Sequence, residues 1–153
     1  TYAAGLTLRA EHGREFARRF NRYVERHITD DQTKAQLRID AQMEFRDINR
    51  RFMNDLKRFA PYGPDNPRPV FITQGVYDYG TSRVVGRHQE HIRLALVDRG
   101  SGVMLGGIAF GLSSEARYIK SRRAFDICYA IEENAYRRGE VQLQIEDIRP
   151  NAE

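Results

Sequence analysis

The sequence is poor in the side chains that carry most enzyme chemistry. Of its 153 residues one is cysteine, Cys128, and four are histidine. A single cysteine closes no internal disulfide. Its place in an alternating apolar run from Phe125 to Ile131 marks a packed thiol rather than a nucleophile. A lone cysteine also suits a reducing, cytoplasmic setting. His88 and His91 are the closest pair of histidines. Zinc needs three or four ligands in register, and no cysteine pair or nearby carboxylate completes a set. No Gly-rich loop opens a helix, so no nucleotide-binding turn is signalled. No apolar run nears the ~18–20 residues that span a membrane, and no membrane partner is expected. Asp30-Asp31 and Glu132-Glu133 are adjacent carboxylates at turn positions, where charge is ordinarily solvated rather than catalytic. These absences leave no candidate catalytic residue and no metal site.

Lysine is scarce as well: Lys34, Lys57 and Lys120 are three of 25 basic residues, and arginine supplies the rest. Arginine favours bidentate phosphate contacts and stacking on bases. A GC-rich genome enriches it equally well. Residues 1–59 hold 13 Lys and Arg against 9 Asp and Glu, giving the whole net charge of +4; residues 60–153 hold 12 against 12.

Proline is absent over long stretches and concentrated in one. Four of the five, Pro61, Pro64, Pro67 and Pro69, fall within nine residues. Each fixes φ and removes a backbone donor, and each biases its predecessor to extended backbone. The run predicts a stiff linker over 60–69, dividing residues 1–59 from a domain over 70–149.

Before the linker the pattern is strand, helix, strand, helix. Thr1 to Leu8 is strand-like, and a strand needs a neighbour, so the polypeptide is expected to extend upstream. Residues 13–28 predict an amphipathic helix with Phe16, Phe20, Tyr23, Val24 and His27 on its buried face. Arg14, Arg18, Arg22 and Arg26 form an i, i+4 ladder on another face. That ladder is either a solvated face paired with Glu15 and Glu25 or a phosphate-facing ridge. Thr29-Asp30-Asp31 is a turn. Leu37, Ile39, Ala41 and Met43 alternate with polar residues in a half-buried strand over 35–43. A second helix follows over about 45–59, with Phe45, Ile48, Phe52, Leu56 and Phe59 as its apolar stripe and Pro61 as its stop.

Beyond the linker five strands are predicted. They run over Val70–Tyr79 with a bulge at Gly75, Arg83–Val97, Val103–Phe110, Phe125–Ile131 and Val141–Ile145. Asp98–Gly102 is a hairpin loop, and Asn134–Gly139 a turn. One short helix over 112–122 ends near the basic pair Arg122-Arg123. Its place between the third and fourth strands is where an OB barrel carries its plug. The fold class is therefore α+β: a strand-helix-strand-helix remnant joined by a Pro-rich linker to a five-stranded OB-fold β-barrel.

Several segments resemble the RecJ family. Ala3-Ala4-Gly5-Leu6-Thr7 resembles the stretch after the Gly-Gly-His motif of the DHH-associated domain. Pro61-Tyr62-Gly63-Pro64-Asp65-Asn66-Pro67-Arg68-Pro69-Val70-Phe71 is similar to that family's Pro-Phe-Gly-x-x-Asn-Pro-x-Pro-x-Phe signature. Val85-Gly86, His91-Ile92-Arg93-Leu94 and Ile108-Ala109-Phe110-Gly111 resemble its Val-Gly, His-Leu-Lys-Leu and Ile-Ala-Phe-Gly motifs. Val141 to Ile148 is similar to its last barrel strand. The resemblance implies a single-strand-specific 5′→3′ DNA exonuclease of the DHH family, acting in repair and recombination. Neither Asp-His-His nor Gly-Gly-His occurs in this sequence. The chain therefore reads as a C-terminal fragment, inactive alone: part of the DHH-associated domain plus the OB domain. Mn²⁺ or Mg²⁺ would belong to the missing N-terminal catalytic domains, with no cofactor in the fragment itself.

OB barrels hold single strands with a groove that tracks the backbone and aromatics that stack bases. Candidate nucleic-acid-binding residues are Arg14, Arg18 and Arg22 on the first helix, and Tyr77, Tyr79, Arg83, Arg87, His91 and Arg93 on the barrel. Tyr77 and Tyr79 could equally fill the barrel core. Expected partners are single-stranded DNA, the missing catalytic domains and single-strand-binding protein. The alternatives are an OB module for RNA or protein, or a scaffold that closes a clamp on the catalytic core.

Overall fold

A computed structural model of the chain describes residues 5–29, 36–134 and 140–151. The residues fall into two compact units, Thr1–Leu37 and Arg38–Glu153. The sequence places its boundary at 60–69; the contacts divide the chain at 37/38. Expectations for residues 1–4, for Asp30-Asp31, and for the turn at 135–139 lie outside the described residues.

In the first unit a 3₁₀ turn leads into helix α1, Gly13–His27. Residues 5–9 carry no regular structure, in place of the expected opening strand. A strand is stable only beside a neighbour, and none pairs with them among the described residues. The apolar stripe on α1 forms as predicted: Phe16 and Phe20 stack at 5.7 Å, and Tyr23 and His27 at 3.9 Å. It is not buried, however. Phe20 is 53% and Tyr23 61% exposed.

The second unit begins with β1, Ala41–Gln42, which is all that forms of the expected strand over 35–43. β1 lies parallel to the start of β2, Phe71–Asp78. It is an edge strand held by Asp40 N–H donating to Val70 O and Met43 N–H donating to Ile72 O. Leu37 and Ile39, which precede it, are exposed. The expected second helix is broken in two. A 3₁₀ turn over Phe45–Asp47 precedes helix α2, Arg50–Lys57, because Asn49 leaves helical backbone and accepts the Phe52 N–H at its Oδ1. Met53, absent from the predicted stripe, is buried; Phe59 lies past the helix end and is 62% exposed.

The proline run is not an extended spacer. Tyr62 Oη donates to Leu56 O, and Asn66 Nδ2 donates to both Phe59 O and Pro61 O. Arg68 pairs with Glu132 and lies over the Tyr62 ring. Side chains able to reach back give the stiff backbone partners, so the segment folds against the barrel.

The predicted strand over Arg83–Val97 is a hairpin. β3, Arg83–Val85, turns through Gly86 at φ 101° into β4, His91–Asp98. That φ is one L side chains rarely adopt, so the turn needs glycine. β5 is Met104–Ala109, α3 is Ala116–Ile119, β6 is Phe125–Glu133 and β7 is Val141–Pro150. Sheet order is β1-β2-β6-β7-β5-β4-β3, and the additional β2–β4 pairing closes the barrel. The parallel β5–β7 contact and α3 between β5 and β6 complete an OB fold. The register shift between Thr73 and Val76 places the bulge at Gly75 as predicted.

One apolar cluster fills the barrel. It takes in Val76, Ile92, Leu96, Phe125, Ile127 and Leu143, and α3 contributes the fully buried Ile119. Phe45, Ile48, Met53 and Leu56 belong to the same cluster. Phe45 meets the Tyr129 ring edge-on at 6.3 Å. Tyr129 Oη and Thr73 Oγ1 lie 2.8 Å apart, and burial pushes the phenol's pKa up to about 12. Cys128 is half-buried; burial, then the Asp147 charge, raises its thiol pKa, which suits a packing role.

Asp98 fastens this segment to the barrel. Its Oδ2 accepts Phe45 N–H at 3.0 Å and Ser101 Oγ at 2.5 Å, and its Oδ1 accepts Gly100 N–H at 2.9 Å. Burial alone would raise its pKa; the hydrogen bonds from Ser101, Phe45 and Gly100 outweigh burial and hold it below the ordinary 3.8. A carboxylate depressed in the folded state stabilises above its unfolded pKa and loses that stabilisation as pH falls through the folded one. Asp98→Ala is therefore expected to cost about 1–3 kcal/mol at neutral pH, from stranded donors. The deficit should shrink below pH 3.8. Urea titrations at pH 7 and at about pH 3 measure it. An equal deficit at both would show that the carboxylate's charge is irrelevant.

Candidate nucleic-acid interface

Alternation along β4 sends Ile92, Leu94 and Leu96 into the core and His91, Arg93 and Ala95 outward. Cross-strand partners share a face, so the register builds outward rows. Arg83 faces Arg93, which faces Ile108, which faces Gln144. Beside it Ala95 faces Gly106, which faces Gln142. Tyr79 N–H donates to Ala95 O, placing Tyr79 next in line, and Tyr77 pairs with Val97. Five of the predicted residues, Tyr77, Tyr79, Arg83, His91 and Arg93, thus share one outer surface. Arg87 is exposed in the β3–β4 turn. Tyr77 and Tyr79 are outside the core cluster, and Tyr79 is 59% exposed.

Across this surface runs a groove of about 530 Å³. Arg93, Gly106, Ile108, Phe110 and Gln142 line it, with Val85 at one rim and Asn134 and Glu140 at the other. Gly106 keeps the floor low, and a side chain there would meet little. Gly107 turns inward, where a Cβ would stand 3.0 Å from Leu143 O. Phe110 is 55% exposed. Its ring meets His91 edge-on at 5.0 Å. His91 Nδ1 accepts Gly111 N–H at 3.1 Å, and Nε2 lies 3.4 Å from Glu90. His91 thus accepts one backbone hydrogen bond and packs its ring against Phe110.

Among the described residues, ion pairs occupy Arg9, Arg19, Arg38, Arg46, Arg58 and Arg68 but not Arg83, Arg87 or Arg93. Like charges directly opposed across a strand pair, as Arg83 and Arg93 are, destabilise a sheet. A phosphate between them reverses the sign of that interaction.

Arg14, Arg18 and Arg22 are exposed on α1 of the other unit and are not among the groove residues. Glu15 pairs with Arg19 at 2.6 Å instead of with the ladder. Phe110, which lines the groove, was not among the sequence candidates. Its signal was available: in Ile108-Ala109-Phe110, alternation turns Ala109 inward and the bulkier neighbours out. Among the described residues no three His, Cys, Asp or Glu side chains come together to hold a metal ion, and no helix is long and apolar enough to cross a membrane.

The closed barrel, its strand order and its open β4–β5 face define an OB-fold module, the class whose corresponding face takes oligonucleotides and oligosaccharides. Residues 39–147 match the RecJ OB domain, and the chain belongs to that family. It is 26% identical over 149 residues to the single-stranded-DNA-specific exonuclease RecJ of Haemophilus influenzae, covering 97% of this chain and 26% of that protein. The RecJ of Dickeya dadantii is 28% identical over 149 residues, covering 97% of this chain and 25% of its own length. The chain thus spans about a quarter of the curated relatives it matches. An SSB-domain structure from a Synechococcus species covers 52% of this chain and 92% of its own at a TM-score of 0.37 and 11% identity, too loose a match to argue from.

Proposed function

We propose that this chain is the DNA-gripping module of a RecJ-type 5′→3′ single-strand-specific exonuclease acting in DNA repair and recombination. The observation that carries the reading is Arg93, which shares a groove with the exposed Phe110 over Gly106 and stands opposite Arg83 across the β3–β4 pair. Arg83, Arg87 and Arg93 take phosphates; Phe110 and Tyr79 offer faces to bases, which stack without regard to sequence. The Arg14, Arg18 and Arg22 ladder is a second phosphate-facing ridge. In this reading metal-dependent hydrolysis, with Mn²⁺ or Mg²⁺, belongs to catalytic domains outside this chain, as the RecJ resemblance implies. Its partners are the upstream catalytic domains and single-strand-binding protein, in the cytoplasm.

The purified chain should bind single-stranded DNA weakly and degrade none. Three to five phosphate contacts at about −0.7 each give a log–log salt slope of about −2 to −4. Fluorescence anisotropy at several salt concentrations measures the slope, and labelled DNA with Mn²⁺ tests for cleavage. Affinity independent of salt would sink the electrostatic account. Metal-dependent 5′ degradation above a contaminant control would sink the assignment of hydrolysis to residues outside the chain. Tighter binding to an RNA of the same sequence would favour an RNA module.

A further inference from the structure

Arg122 occupies an unusual backbone position. It follows α3 at φ 61°, with its N–H donating to Ile119 O. Helices ordinarily place glycine in that left-handed site, because a Cβ there is strained. Strain of this kind is retained when the side chain has work to do. The Arg122 guanidinium reaches the turn after β2: its Nη2 lies 3.2 Å from where a Cβ on Gly80 would stand. Gly80, itself at φ 111°, leaves the room. There Arg122 lines a groove of about 440 Å³ with Tyr77, Arg99, Gly102 and Ala124. Asp98 also lines it, but is 1% exposed, and both carboxylate oxygens are engaged by Phe45, Gly100 and Ser101. Arg99 and Arg122 make no ion pair among the described residues. Two free guanidiniums and one aromatic face in a concavity suit a phosphodiester with its base.

The two grooves share no lining residue, but β4 leads from one to the other, with Val97 buried between them. The outward rows step along β4 from Arg93 through Ala95 and Tyr79 to Val97 and Tyr77, and β4 then runs into Arg99. Six residues of strand cover about 20 Å. We propose that a single strand leaving the Arg93–Phe110 groove follows this row across Tyr79 and Tyr77 and lodges a further phosphate between Arg99 and Arg122. The inference rests on the DNA-gripping reading above.

The test uses the whole chain with oligo-dT of about 4 and about 12 nucleotides, the span of OB site sizes. Arg99→Gln with Arg122→Gln should weaken the longer oligomer about tenfold and flatten its salt slope by about 0.7, one phosphate's worth, leaving the shorter unchanged. Arg122→Gly alone should raise the melting temperature while weakening the longer oligomer, the signature of strain kept for binding. An unchanged longer oligomer, with Arg93→Gln still damaging, would overturn the second subsite and leave the gripping reading intact. If neither change matters, both fall. Equal loss for the two lengths would reduce the pocket to general charge, and a lower melting temperature for Arg122→Gly would make Arg122 structural; either result overturns the proposal.

Discussion

Phe110→Ala combined with Arg93→Gln should weaken single-stranded DNA binding by about 10- to 100-fold. Stacking on one aromatic is worth about 1–3 kcal/mol per base, and each 1.4 kcal/mol is tenfold in affinity. The two singles should separate by mechanism. Phe110→Ala removes a neutral ring that is 55% exposed, so its loss should be similar at all salt concentrations. Arg93→Gln removes one phosphate contact, so its loss should be larger at low salt and the slope shallower by about 0.7. Relieving the Arg83–Arg93 repulsion should make Arg93→Gln neutral or stabilising for the fold, opposite to its effect on binding. Anisotropy and thermal melts on the three variants supply both readouts. Full affinity in the double variant would remove this face from the binding reaction.

Phe45→Ala should cost about 3–5 kcal/mol, the usual range for deleting a buried phenylalanine. Phe45 is 1% exposed, sits against Tyr129, and its N–H is held by Asp98. At roughly 4 °C per kcal/mol the barrel's melting temperature should fall by about 12–20 °C. The same reasoning applies to a chain begun at residue 60, which would strip Phe45, Ile48, Met53 and Leu56 from the cluster they share with the barrel. Such a truncation should fail to fold to the native state, and one begun at Arg38 should fold. Calorimetry or near-ultraviolet circular dichroism on the two truncations decides it. A barrel that folds from residue 60 with unchanged stability would restore the proline run as the true boundary.

Much of the barrel was legible because strand alternation is local. Ile92, Leu94 and Leu96, or Phe125, Ile127 and Tyr129, declare their inward face within a few residues, and the short helix at its fixed place in the order separates an OB barrel from a sandwich. The Gly75 bulge was legible for the same reason. Phe110 was readable from Ile108 and Ala109 beside it, yet its exposure depends on what His91 and Gly111 do nearby.

The proline run misled because proline fixes φ without saying where the chain goes next. Tyr62, Asn66 and Arg68 fold the segment back, through partners six, seven and 64 positions away in sequence (Leu56, Phe59 and Glu132). The apolar periodicity of residues 45–59 was correct as a pattern and wrong as one helix, since Asn49 captures the Phe52 N–H and restarts the turn. The sequence by itself determined the barrel, its order of elements and the outward placement of Arg93, because periodicity and hairpin spacing act over a few residues. Only the tertiary structure decided that Arg83 faces Arg93, that Tyr79 follows Ala95, and that Phe45 belongs to the barrel core. Those juxtapositions come from closure of β2 on β4 and from one buried carboxylate, Asp98, reaching 53 residues back along the chain.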